Sequence, residues 1–191
     1  ALLGVVGISL MIIFVPWRWE RIISFVDPWS NPWGSGYQLT LSLMSIGRGD
    51  WFGVGLGQGL MKMGYLPDAH TDFIFAVIIE ETGILGGFLI ISLLFGLSFR
   101  IFSIGRDSLI KKNFFGFYFS YGVALLLGLH TFINVGVACG LLPTKGLTLP
   151  LISAGGTNLI IVCLMIGIIL RVDYENKNSM PVPHFKRRAH F

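Results

Sequence analysis

The chain has 191 residues, of which 53% are hydrophobic and only 13% charged, and its net charge is +4. A soluble domain carries roughly twice that share of charge, so the composition excludes an ordinary globular enzyme and indicates an integral membrane protein. Its two cysteines, Cys139 and Cys163, both lie in apolar runs, which excludes a disulfide framework and any zinc-ligand spacing.

In chain order, hydropathy predicts an all-α polytopic membrane protein with four spans. The first apolar run, 1–17, ends at Pro16-Trp17-Arg18-Trp19, where tryptophans suit the membrane interface. It is short for a span and opens at Ala1 with no basic region or cleavage site, so it reads as the interior of a longer protein. A long mixed loop, 18–72, follows, broken by Pro and Gly between Asp27 and Gly36. Within it Tyr37 to Ile46 predicts a short amphipathic helix on or in the membrane. The run Gly53-Val-Gly-Leu-Gly57-Gln-Gly59 has no preceding strand and does not make a dinucleotide site. Loops of this length are usually functional, and substrate and partners are expected to meet here.

A second span is expected over 73–103, with Gly83, Gly86 and Gly87 permitting close approach or a bend. A basic loop, 104–113, leads to a third span, 114–139. There His130 and Asn134 share a face at i, i+4 and suit an interhelical hydrogen bond. A turn, 140–148, precedes the last span, 149–171, whose first residues are polar and glycine-rich and suit a cavity lining. A tail, 172–191, ends the chain. Lys and Arg cluster around 104–113 and beyond 171, which places both in the cytoplasm and the long loop and the 140–148 turn outside. The basic tail reads as a topology and lipid-surface signal, with no nucleic-acid partner.

One stretch concentrates the chemistry: Tyr65-Leu-Pro-Asp-Ala-His-Thr-Asp72, running into an apolar helix that carries Glu80 and Glu81. Ionisable groups at such a place are costly and mark functional sites by default. The bland alternative is that Asp72, or Thr71, caps the helix starting at Phe73. The expected topology brings Asp72, His70, Lys145 and the polar start of the last span, with Ser153 and Asn158, to the outer membrane surface. On a straight helix Glu80 lies about 12 Å below Asp72 and near its face, so it is expected to line the same cavity. Glu81 lies roughly opposite and is expected to pair with another helix.

These residues resemble a known family. Tyr65-Leu-Pro-Asp-Ala-His-Thr-Asp-Phe, Glu80-Glu81, and Leu142-Pro-Thr-Lys-Gly-Leu-Thr-Leu-Pro-Leu-Ile-Ser153 with Gly155-Gly156 are similar to the SEDS proteins (shape, elongation, division and sporulation), on the cell-division side. The resemblance runs from about Pro16 to Tyr174. Asp68, Thr82, His130, Ala154 and Thr157-Asn158 depart from the family pattern. The resemblance implies a roughly ten-helix fold, of which this chain is the C-terminal four spans with the large extracytoplasmic loop. It implies a peptidoglycan glycosyltransferase that polymerises lipid II for septal wall synthesis in the bacterial inner membrane, the site facing outward. The essential acid falls on Asp72. Inversion at the donor sugar needs one carboxylate as base. Lys145, Arg48 or a divalent cation, Mg or Mn, then neutralises the pyrophosphate, and His70 and Thr71 position the substrate. No organic cofactor is expected. The implied partners are membrane lipids, a class B penicillin-binding transpeptidase and other divisome proteins. A non-catalytic scaffold and a lipid II transporter are the competing functions.

Overall fold

The computed structural model describes residues 24–178. These form helices α1 (Tyr37–Gly49), α2 (Ile74–Ile110), α3 (Phe114–Ala138) and α4 (Gly156–Asn178), with a 3-10 turn at Met61–Met63. The expected first span, 1–17, and the tail beyond 178 lie outside the described residues. Helices α2, α3 and α4 are each long and apolar enough to cross a membrane, which makes this a multi-pass membrane protein.

Helices α2 and α3 form a hairpin, and α4 joins them through a core of Ile101, Ile104, Val123, Ala124, Leu127, Val162, Ile169 and Val172. A buried polar tie adds specificity at the basic end, where Asn176 Nδ2 donates to Ser108 Oγ at 2.7 Å. The hairpin turn is tighter than its sequence suggested. Helix α2 does not stop at 103 but runs through Arg106 and Asp107 to Ile110, leaving only 111–113 as connection. Ile104 and Ser108 are buried while Arg106 and Asp107 face out, so the helical period continues past the apolar run. Asn113 then starts α3, its side chain accepting from Gly116 N at 3.0 Å.

The last helix is shifted by about two turns from its expected bounds. It opens at Gly156 because Pro150 and Gly155 hold 149–155 irregular. It continues to Asn178 because Arg171–Glu175 and Asp173–Lys177 are i, i+4 pairs at 2.9 and 2.6 Å.

The expected loop helix is present as α1, yet its buried side beyond Leu39 is polar or small: Thr40, Ser42, Ser45 and Gly49. Ser42 Oγ donates to Ala138 O at 2.8 Å and Ser45 Oγ to Ala76 O at 3.0 Å. A Cβ added at Gly49 would collide with Ile79 O. Close hydroxyl contact with α2 and α3 seats this helix, with Leu41 and Ile46 packed against the neighbouring apolar clusters.

The bend allowed by the glycines occurs at Gly83, whose φ of 75° and ψ of −179° break α2. A Cβ at Gly87 would sit 2.8 Å from Ile79 Cγ1 and 3.5 Å from the Phe75 ring. On a straight helix Phe75 and Gly87 would be about 18 Å apart, so the short piece before the break leans back on the long one. Loop residues 50–55 fill the break. Val54 N donates to Glu80 O at 2.9 Å and Gly55 N to Glu81 O at 3.1 Å, while Ile84 N donates to Asp50 O at 2.9 Å and Leu85 N to Trp51 O at 3.4 Å. The main-chain groups freed by the break are thus satisfied by the loop.

At Gly83 any side chain meets both a backbone conformation reserved for glycine and the Trp51 carbonyl. Gly83→Ala is expected to destabilise the protein by at least about 2 kcal/mol, read as a lower thermal midpoint in detergent.

Candidate functional site

The N-terminal end of α2 is set by a turn in which Leu66, Ala69 and Phe73 point inward against Val77 and Val137. Asp68 adopts φ 56°, and its carbonyl accepts from the amides of Thr71, Asp72 and Phe73 at 3.1, 3.1 and 3.3 Å. Gln38 Nε2 donates to Asp68 Oδ2 at 3.3 Å and Tyr37 OH to Tyr65 O at 3.0 Å, so α1 holds the turn from outside. Helix α2 is entered through Phe73 without a side-chain cap. Capping therefore does not consume the Asp72 carboxylate. Asp72 is half-buried, and burial together with the neighbouring Asp68 charge pushes its carboxyl above the usual range, against a smaller opposing hydrogen bond from Thr71.

The second loop folds onto this turn through main-chain acceptors. Ser153 Oγ accepts from Leu149 N at 2.7 Å and donates to Thr71 O at 2.6 Å, and Ala154 N donates to His70 O at 2.9 Å. Asn134, buried in α3, donates from Nδ2 to Asp72 O at 2.9 Å and to Leu147 O at 2.6 Å. Asn158 Nδ2 donates to Thr148 Oγ1 at 2.8 Å, tying α4 to the same loop. A Cβ added at Gly146 would sit 3.2 Å from Asp72 Oδ2, so the main chain next to Lys145 lies against the carboxylate. Lys145 and His70 are exposed.

Asp72, Thr71, His70, Ser153 and the Lys145 turn are therefore brought together, as expected, with Asn158 bracing the loop. Glu80 and Arg48 belong to a different cluster. Glu80 is fully buried and accepts from Arg48 Nη1 at 3.1 Å, Leu60 N at 3.0 Å and Met61 N at 3.3 Å, with Ser45 Oγ at 3.5 Å. It anchors the long loop and does not line a cavity beside Asp72. Glu81 takes Lys62 Nζ at 2.6 Å and Gly57 N at 3.1 Å, so its partner is the loop and not another helix. Gly59 passes between the two acids: a Cβ there would lie 2.9 Å from Glu81 Oε1 and 3.1 Å from Glu80 Oε2. The glycine run is thus the strand of loop threaded under the glutamates.

The sequence pointed to Asn134 only as a helix-to-helix hydrogen bond, whereas it serves two loop carbonyls. Gly146 carried no signal beyond its place beside Lys145. Among the described residues no three His, Cys, Asp or Glu side chains converge as a metal site.

The family model described as "Cell cycle protein", FTSW_RODA_SPOVE, matches residues 1–178. A probable peptidoglycan glycosyltransferase FtsW of Buchnera aphidicola subsp. Baizongia pistaciae is 55% identical over 174 residues, covering 91% of this chain and 46% of that protein. One of the same description from Aliivibrio salmonicida is 51% identical over 172 residues, covering 88% and 43%. A solved structure reported for the structural coordination of polymerization and crosslinking by a peptidoglycan synthase complex superposes with a TM-score of 0.69 at 28% identity, covering 93% of this chain and 49% of that one. The chain spans somewhat less than half the length of these curated relatives.

Replacing Glu80 with Gln keeps its shape and removes its charge. Most of the loss should come from the Leu60 and Met61 amides, because Arg48 is 40% exposed and solvent-screened. Glu80→Gln is expected to cost about 1–3 kcal/mol and to speed hydrogen exchange over 57–62 while leaving the turn at Asp72 protected.

Proposed function

This chain belongs to the FtsW, RodA and SpoVE cell cycle family, the SEDS proteins, and from that premise we propose that the whole protein polymerises lipid II with Asp72 as its general base. The observation that carries the proposal is the Asp72 carboxylate. It is half-buried, free of helix capping, and bordered by the side-chain-free Gly146 of the Lys145 turn.

The donor sugar is α-linked to undecaprenyl pyrophosphate and the product link is β-1,4, so the reaction inverts C1 in one displacement. The acceptor 4-OH oxygen attacks C1 as Asp72 takes its proton. The bond from C1 to the pyrophosphate oxygen breaks, and its electron pair leaves with the pyrophosphate. A raised carboxyl pKa brings the base nearer to operating pH and strengthens it. The leaving group needs charge neutralisation more than a proton, and Lys145 is the exposed cation on the loop that touches Asp72. His70 and Thr71 position the substrate from the same turn. Any Mg or Mn fits as an ion carried by the pyrophosphate, because such ions need only one or two protein carboxylates.

The setting we propose is the bacterial inner membrane at the division septum, the site facing outward, with a class B penicillin-binding transpeptidase and other divisome proteins as partners. A lipid II transporter would rely on Glu80 and Glu81 as mobile or exposed intramembrane acids. Both are held by loop donors here, which favours the polymerase.

In the full-length protein with its transpeptidase partner, Asp72→Asn is expected to lower glycan-strand formation from purified lipid II at least about 100-fold while the complex stays intact. Undiminished polymer would refute the base assignment. Removing the neighbouring charge by Asp68→Asn should lower the Asp72 pKa and move the acid limb of the pH-rate profile to lower pH. The sign for stability is the reverse of the usual carboxylate. Because folding raises this pKa, the folded state binds the proton more tightly, and stability falls as pH rises from the ordinary value of 3.8 through the folded one. Asp72→Asn should therefore hold or raise the thermal midpoint at neutral pH.

A further inference from the structure

We infer that Asn134 is a positioning residue that sets the spacing between the Asp72 carboxylate and the Lys145 turn; the inference rests on the glycosyltransferase proposal above. Asn134 is 1% exposed, one turn before the end of α3. Its two amide protons go to two main-chain carbonyls, Asp72 O at 2.9 Å and Leu147 O at 2.6 Å. Both acceptors are carbonyls, so only the nitrogen end of the amide can serve them, and the side chain's orientation is settled by chemistry.

The two carbonyls come from segments 62 residues before and 13 residues after Asn134. One belongs to the proposed base itself. The other follows Gly146, and Leu147 N donates back to Lys145 O at 2.8 Å, closing a tight turn. Fixing Leu147 O therefore fixes Lys145 and Gly146 as well, and Gly146 is the residue whose Cβ would stand 3.2 Å from Asp72 Oδ2. A single side chain thus holds the main chain of the proposed base in register with that of the Lys145 turn.

The remaining atom of the amide shows what the position uses. Asn134 Oδ1 is buried and has no hydrogen-bond partner among the described residues. An orphan buried acceptor works against stability. What this residue contributes is its pair of donors.

The test is lipid II polymerisation by the full-length protein with its transpeptidase partner. Wild type, Asn134→Leu, Asn134→Asp and Asp72→Asn are compared for kcat, KM, thermal midpoint and partner binding. Asn134→Leu removes both donors. Asn134→Asp keeps the size, retains at most one donor, and decides the matter where the leucine variant does not fold. The expected result is a kcat about 10- to 100-fold lower, with KM within about twofold and partner binding unchanged, because small displacement of a reacting group costs rate before binding. A kcat within about twofold of wild type in either folded variant overturns the inference. So does loss of the folded complex in both, which assigns Asn134 to folding alone. The Asp72→Asn arm keeps the two ideas apart: normal polymer from it sinks the base assignment whatever Asn134 does, whereas its loss beside full activity of Asn134→Leu sinks only the positioning role.

Discussion

A helix broken at Gly83 leaves main-chain carbonyls and amides that lipid cannot satisfy, and each unsatisfied group there costs several kcal/mol. The packing of the long loop against α2 follows from how that need is met. Residues 50–55 enter the break and take up the groups on both of its sides. That route brings the glycine run under Glu80 and Glu81, whose carboxylates then hold the Leu60–Met61 amides and Lys62. It also allows the short piece of α2 to lean back until Phe75 and Ile79 pack beside Gly87. The break, the glycine run and the paired acids are one structural device.

This device separates two kinds of acid that look alike in the chain. Glu80 is fully buried, yet every strong donor it needs reaches it from α1 and the loop, so its charge is compensated in the manner required of buried ions. Asp72 lies only half-buried, has a like charge nearby and caps no helix. Its environment leaves the carboxylate under-compensated, which raises its proton affinity and suits a group that must take a proton and give it up again.

Much of the described fold was legible because long apolar runs report membrane-spanning helices directly, and three of them are helices of that length here. Asp72, His70, Thr71, Lys145 and Ser153 were legible as a group because topology alone returns their segments to one side. Glu80 was placed wrongly for a specific reason. Asp72 and Glu80 both precede the Gly83 break, so helical spacing relates them well enough; what it does not show is that Arg48, Leu60 and Met61, 19 to 32 residues earlier in the chain, close over Glu80 and fill the space beside it. The ends of α2 and α4 were misplaced because hydropathy marks where lipid ends, whereas helices continue as long as their inner face has Ile104, Ser108 or Asn176 to bury. Asn134 was expected to make an interhelical hydrogen bond, but its partners are main-chain carbonyls, and every residue type has one.

The bonds that join the two loops end on the main-chain oxygens of His70, Thr71, Asp72 and Leu147. Folding therefore uses the peptide groups of these residues and leaves the side chains of His70, Asp72 and Lys145 uncommitted to holding the loops together. The supporting donors, Asn134 and Ser153, are themselves buried and fixed by packing. Such a division lets the site be rigid while its reactive groups stay open to substrate, which is the condition for catalysis by preorganised position and charge. It also explains why a glycine stands beside the carboxylate. A Cβ at Gly146 would crowd Asp72 Oδ2 at 3.2 Å, and its absence keeps space adjacent to the proposed base.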